Sequence, residues 1–366
     1  MSKYKPFITL GPGDTIKEEL EFHGWDQKDL ADVMGVTGKH VSDLVNNKAP
    51  VTFDTACRLS EVFKQSPQFW SNLDTQYRLR LQESAPLKDT AAKALLYRYM
   101  PIREMKKRNL LSEPLSELIA AVKSFWSIDD LDFGFIEKKA AVMFKKSESF
   151  TQFNAYFAIT WLRLSQVIAE KKADEKEYDS KKLRLLIDDI CDFTVKENGI
   201  TEFIEALREC GVTFIYLPHF EKTYIDGATF FHNDNPVLVY TARHNRNDNF
   251  WFTVAHELGH IILHKDHKQF IDNMDDIDTT NDCEAEADRF ANKILKLGEI
   301  ARFFKKVQNP SLVKVNQCSD VLGINEALVV GTLQHNQQLS YSTRLNRLKA
   351  PVRDTLEYLA DEGVWK

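Results

Sequence analysis

Cysteine is scarce and scattered: Cys57, Cys191, Cys210, Cys283 and Cys318 are odd in number and form no C-x-x-C pair. That argues against a disulfide framework and for a reducing compartment. Long apolar runs are missing as well. No stretch of about 18 apolar residues occurs, and the opening segment MSKYKPFITLGPGD has no apolar core of signal-peptide length, so the expectation is a cytoplasmic protein without a membrane partner. An excess of positive charge is also lacking, since 48 Lys and Arg face 54 Asp and Glu for a net charge of −6. A globally basic nucleic-acid coat is excluded, although a local basic patch is not. There is no Gly-rich phosphate loop, no Ser/His/Asp order, no internal repeat and no low-complexity tract. What remains is 366 residues, 43% hydrophobic and 28% charged. That is enough to bury real cores in two or three folding units, and it excludes wholesale disorder.

The pattern along the chain predicts an α+β protein, predominantly α, in four stretches. Residues 1–85 are short helical pieces between Gly and polar turns, and 86–200 are long amphipathic helices forming a connector. The charged run Glu170–Glu177 within the connector reads as a solvated loop or helix end. From 201 to about 300 the texture turns to mixed α and β, and 301–366 form a C-terminal extension. Strands are expected at 212–217, 228–231 and 237–241, the last two joined by the turn signal His232-Asn233-Asp234-Asn235-Pro236. Helices are expected at 249–265 and 282–296. The aromatic cluster Phe250-Trp251-Phe252 and the tryptophans Trp70, Trp126 and Trp161 read as core.

Residues 27–46, QKDLADVMGVTGKHVSDLVN, carry the first functional signal. Leu30, Ala31 and Met34 mark the inner face of one helix, and Gly35 allows a sharp turn that Val36 plugs. Thr37 is a good N-cap for a second helix whose inner face is Val41, Leu44 and Val45. Small Ala31 and the turn glycine let the two helices cross steeply, as in a helix-turn-helix. The second helix would then enter the major groove of double-stranded operator DNA, presenting Gly38, Lys39, His40, Ser42 and Asp43 to the bases. Gln27, Lys28 and Lys48 stand where they could donate to phosphates, and Thr37, at the start of the second helix, counts with the DNA-binding residues. Ten Lys and Arg against eleven Asp and Glu in residues 1–82 imply weak, salt-sensitive attraction, and a single module implies a homodimer. Together with Pro12-Gly13, Phe53–Leu59 and Pro67–Trp70, this stretch resembles the Xre helix-turn-helix regulators, specifically their HigA-like antitoxin branch.

The second signal is His256-Glu257-Leu258-Gly259-His260 inside NFWFTVAHELGHIILH. Two His four residues apart lie on one helical face, about 6 Å apart along the axis, so both rings can reach one Zn²⁺ at about 2.1 Å. Glu257 falls beside the metal, where it can take a proton from an attacking water. A third ligand is needed. His264 lies eight residues from His256, about 12 Å along the same helix, and is set aside. Asp266 would suit a longer H-E-x-x-H-x-x-G-x-x-H/D motif, but Leu263 replaces the turning glycine. The helix Asn281–Ala291 is the better source: Glu284 as ligand, with Glu286 as second choice, and Asp288 sharing a face with Glu284 to accept the outward N–H of a ligand His. For an oxyanion donor, Tyr216, Tyr240, His232, His244 and His335 all stay open.

With Asp226-Gly227, Pro236–Val239, Arg243–Asp248 and Glu284–Ala291, this segment is similar to the ImmA/IrrE metallopeptidase family over about 205–296. Leu295-Lys296-Leu297-Gly298 departs from that family's usual Pro turn. The resemblance implies a zinc-dependent endopeptidase, with Mn²⁺ a second choice of metal, that cuts a repressor-type protein. The alternative it leaves open is a non-proteolytic HigA-like repressor whose metal domain is a sensor or a surface for a cognate toxin.

Overall fold

The computed structural model describes residues 10–82, 88–146, 153–172, 176–264, 279–307 and 309–359. The chain divides between Ala92 and Lys93 into two compact units. Helices dominate and one small sheet is present, the α+β class read from the sequence.

The first unit is a bundle of α1 (Pro12–His23), α2 (Gln27–Met34), α3 (Gly38–Val45), α4 (Phe53–Phe63) and α5 (Pro67–Gln82). Its helix starts are set by side chains that accept orphan backbone N–H groups: Asp26 for α2, Thr37 for α3 and Thr52 for α4. Gly24 and Gly35 end α1 and α2 in the left-handed region, at φ 67° and 62°, where a side chain would be strained. The apolar stripes of these helices meet in one core of Ile16, Leu30, Val41, Leu44, Leu59 and Trp70. Gly13 matters here for a packing reason. A Cβ at that position would lie 2.4 Å from the Val45 carbonyl oxygen, so α1 and α3 touch backbone to backbone.

The second unit is organised around a three-stranded sheet of β1 (Thr213–Tyr216), β2 (Gly227–His232) and β3 (Asn235–Tyr240), in the order β1-β3-β2. β2 and β3 form the expected hairpin, turning at Asn233 and Asp234 with φ 49° and 67°. β1 runs parallel to β3. The central strand β3 is buried along its whole length, which explains the unbroken apolar run Pro236-Val237-Leu238-Val239-Tyr240. Pro236 is tolerated because β1 pairs only from Val237 onward.

Alternation along the strands sends side chains to two separate cores. Phe214, Tyr216, Leu238 and Tyr240 face a core built with α14 (Asn247–Leu263), which runs beside the sheet. Ile215, Leu217, Val237 and Val239 face the other way, into a core built with α10 (Ala155–Lys171). Helices α6 (Lys88–Tyr99), α7 (Ile102–Lys107), α8 (Leu115–Trp126) and α9 (Gly134–Lys146) complete that second core through Leu96, Met105, Val122 and Ile136. Helices α11 (Ser180–Asp188), α12 (Ile190–Thr194) and α13 (Gly199–Glu209) join the α14 side through Leu183, Ile190 and Phe203. Glu170 and Lys171 end α10 exposed, as the charged run predicted, while residues 173–175 lie outside the described set. On the α14 side sit α15 (Thr279–Ile294), α16 (Leu297–Phe304), α17 (Leu312–Leu322), α18 (Glu326–His335) and a short 3₁₀ turn at Arg344–Leu348. Their residues Leu297, Ile300, Phe304, Val315, Val329 and Leu333 belong to the same core as Trp251 and Leu258. Helices α14 and α15 therefore begin two or three residues earlier than the sequence pattern placed them. Among the described residues, no helix is long and apolar enough to cross a membrane.

Candidate functional site

α14 carries two faces. Phe250, Trp251, Val254, Ala255 and Leu258 are buried against the sheet and neighbouring helices. The opposite stripe, Asn249, Phe252, Thr253, His256, Glu257 and His260, lines a cleft of about 540 Å³. The spacing is that of one helical face, so the cleft runs along the helix axis. α15 closes in on it because Gly259 and Ala287 are small: a Cβ on Gly259 would sit 3.1 Å from the Ala287 Cα. That close crossing brings Glu284 across from the two histidines.

His256 Nε2 and His260 Nε2 are 3.0 Å apart. Glu284 offers Oε2 at 3.2 Å from His256 Nε2 and Oε1 at 3.7 Å from His260 Nε2. A tetrahedral ion with bonds of about 2.1 Å separates its ligands by roughly 3.4 Å. The three atoms are spaced close to three corners of such a tetrahedron, and the donor set fits a divalent cation. Asp288 Oδ1 lies 2.9 Å from His256 Nδ1, the outward nitrogen, and accepts its N–H.

The charges of the cluster act strongly on one another. Burial works against protonation of His256, but the hydrogen bond to Glu284 and the charges of Glu257, Glu284 and Asp288 outweigh it and push its pKa up to about 9. Burial alone would raise the Glu284 carboxyl, yet the hydrogen bonds from His256 and His260 hold it well below the usual carboxylate range. Glu257 shifts upward, because burial dominates the opposing charges of His260 and His256. A carboxyl moved toward neutrality inside a cleft is suited to taking and giving back a proton. Thr229 donates its hydroxyl to Glu257 Oε2 at 2.8 Å. Gly227 makes room for that carboxylate, since a Cβ there would lie 2.8 Å from Glu257 Oε1.

Sequence reasoning missed the groups that stand behind His260. His264 is buried, with Nδ1 3.2 Å from His260 Nδ1 and Nε2 3.0 Å from Glu286 Oε2. Glu286, weighed above as a ligand, thus stands behind His264 rather than among the cluster atoms. The only signal for it was an i, i+4 pair of histidines on a helix, which has no meaning until α15 is placed. Asp266 lies outside the described residues. Of the five oxyanion candidates only His244 lines the cleft. Tyr216 and Tyr240 are buried in the core, Tyr240 donating to Asn249 Oδ1 at 3.1 Å, and His335 is exposed at the end of α18.

In the first unit, α2 and α3 form the two-helix pair with Gly35 at the turn. Gln27, Lys28, Thr37, Gly38 and Lys39 are exposed, while His40, Ser42 and Asp43 are half-buried. Thr37 Oγ1 accepts from the His40 N–H at 3.2 Å, so its first task is to start α3. Arg58, which the sequence offered only as part of the Phe53–Leu59 resemblance and without a role, donates to the Met34 carbonyl at 2.6 Å and closes the end of α2.

Comparison with known proteins follows the same division. Residues 16–70 match a helix-turn-helix family model, and residues 208–297 match the IrrE N-terminal-like domain of the M78 peptidases. An uncharacterized HTH-type transcriptional regulator of Haemophilus influenzae is 37% identical over 68 residues, 18% of this chain and 64% of that protein. Virulence-associated protein I of Dichelobacter nodosus is 33% identical over 75 residues, 20% of this chain and 69% of its own. The uncharacterized HTH-type transcriptional regulator YddM of Escherichia coli K12 is 35% identical over 68 residues, 19% of this chain and 72% of that one. The chain therefore belongs to the HTH-type transcriptional regulators, with an Xre-like helix-turn-helix domain toward its N-terminus and an IrrE/ImmA-like M78 peptidase domain toward its C-terminus.

Proposed function

We propose that this regulator binds operator DNA as a homodimer through α3 and cuts a repressor-type protein with a zinc-dependent endopeptidase centre. One observation carries the reading. The buried carboxylate of Glu257 stands beside the His256, His260 and Glu284 cluster, in a cleft whose wall is the edge strand β2. An edge strand offers backbone N–H and C=O groups to an extended peptide, which a small-molecule pocket does not need.

The roles follow from position. His256, His260 and Glu284 would hold the cation, for which two imidazoles and a carboxylate favour Zn²⁺ over Mn²⁺. When bound, that cation supplies Lewis-acid polarisation of the peptide carbonyl and of water. Glu257 takes the proton from the attacking water and returns it to the leaving nitrogen, with Thr229 holding one of its oxygens in place. Asp288 orients His256, and the His264–Glu286 pair orients His260. A repressor that uses its metal domain only as a sensor or toxin-binding surface would leave Glu257 without a task. In the first unit, Lys39 and Gly38 would face base edges while Gln27 and Lys28 meet phosphates.

The test is incubation of the zinc-loaded chain with repressor-type proteins that carry the same helix-turn-helix fold, followed by mass spectrometry. The reading expects a discrete cut that disappears in Glu257→Gln and on chelation. A cut that persists in Glu257→Gln would remove the enzyme assignment.

A further inference from the structure

The cleft does not end at the cation cluster. It continues past the N-terminus of α14 to His244 and Arg246. Arg246 is the N-cap of that helix, ten residues before His256, or about 15 Å along the axis. It is too far from His256 to touch a scissile carbonyl. At about 3.3 Å per residue, that separation equals four or five residues of an extended peptide.

Arg246 shares its close carboxylate with a second cation. Among the described residues its nearest carboxylate is Asp248, whose Oδ1 lies 3.2 Å from Arg246 Nε. That approach is out of line, and neither atom makes a hydrogen bond among the described residues. Asp248 is claimed from the other side by Lys349, whose Nζ sits 2.6 Å from Oδ2 and also donates to Gln334 Oε1 at 2.6 Å. The Lys349 and Asp248 side chains are only 2% and 7% exposed, so their pair is fixed in the protein interior. Gly331 adds to the confinement, because a Cβ there would fall 2.6 Å from Asp248 Oδ2. The neighbouring pair is closed in the same way: Arg243 grips Asp226 through two bonds of 2.9 and 2.7 Å. Among the described residues two carboxylates, Asp226 and Asp248, thus meet three cations, Arg243, Lys349 and Arg246, and Arg246 is the member that is 38% exposed and lines the cleft. Guanidinium is suited to a carboxylate because its planar donors match both oxygens.

From this arrangement we infer that Arg246 is a specificity-determining residue that binds an acidic side chain of the peptide substrate, four or five residues from the bond that is cut. Lys349 acts as a positioning residue: by occupying Asp248 from the C-terminal segment, it keeps that carboxylate from satisfying Arg246. The inference rests on the peptide-cleaving reading of the cleft, and the test separates the two.

The experiment uses the full chain, zinc-loaded, with decapeptide pools carrying Asp, Asn or Lys fixed at each position in turn, cut sites being mapped by mass spectrometry. In parallel, fluorescein-labelled Asp and Lys pools are titrated into Glu257→Gln by anisotropy. Wild type should favour Asp over Asn about tenfold at four or five residues from the cut. Arg246→Glu should invert that preference toward Lys, and Arg246→Lys should retain part of it, with zinc content and thermal melting checking the fold of each. Cleavage with no charge preference at that distance, or a preference unchanged in Arg246→Glu, overturns the inference and leaves the peptidase reading standing. No cleavage of any pool, with acidic binding that still depends on Arg246, supports the recognition site and sinks the peptidase reading. Neither cleavage nor Arg246-dependent binding overturns both.

Discussion

In the cation-free chain His256 holds a proton at neutral pH, because Glu284, Glu257 and Asp288 raise its pKa to about 9 against the effect of burial. A nitrogen that ligates a metal must give that proton up, so cation binding is coupled to proton release. Below pH 9 roughly one proton should leave per cation bound, and apparent affinity should fall about tenfold, or about 1.4 kcal/mol, for each unit of acidification. The sign for stability is opposite in the two states. A histidine whose folded pKa lies above its ordinary value, about 6.5, stabilises the fold below that pH. The contribution is lost as pH climbs through about 9. The cation-free chain should therefore melt at lower temperature as pH rises across that window, while the zinc-loaded chain melts higher. Calorimetry of zinc binding in buffers of different ionisation enthalpy counts the protons directly. A count near zero at pH 7, with affinity flat over two pH units, would refute the geometry in which Nε2 of His256 faces both Glu284 and the cation.

Three further outcomes test other links. Glu284→Ala should abolish stoichiometric zinc binding, whereas Asp288→Asn, which keeps the shape but weakens the bond to His256 Nδ1, should lower affinity by about 10- to 100-fold in a chelator competition. Gly227→Ala places a methyl group 2.8 Å from Glu257 Oε1 and 2.9 Å from Thr253 Cγ2. It should cost about 1–3 kcal/mol by denaturant unfolding and reduce cleavage far more than zinc affinity, because the displaced group is not a ligand. Lys349→Met removes a nearly fully buried ammonium from Asp248 and Gln334, and urea unfolding should show a loss of about 3 kcal/mol, moderated by Arg246 on the far side of the carboxylate. An unchanged midpoint would mean the Lys349–Asp248 pair contributes nothing net to the fold.

What could be read from the sequence was whatever depends on local periodicity. The i, i+4 spacing of His256 and His260 follows from the helix itself, as does the shared face of Glu284 and Asp288, and both survive intact in the geometry. The turn of the helix-turn-helix was equally legible, since Gly35 and Thr37 act on residues within one turn of themselves. Features that need two distant segments were not. The His264–Glu286 support exists only because Gly259 and Ala287 let α14 and α15 cross closely, and no pattern within either helix encodes that contact. Thr229 reaches Glu257 from a strand 28 residues upstream, and Lys349 reaches Asp248 from about a hundred residues downstream. These partners share a physical character. Each is a polar group placed where burial would otherwise leave a charged or ligating group unsatisfied, and burial cannot be seen before the chain is folded. The candidate site residues could be proposed from spacing, because the chemistry they would serve fixes their separation. The residues that hold them in the right protonation state and orientation are set by packing, and it is there that this chain departs from what its motifs alone convey.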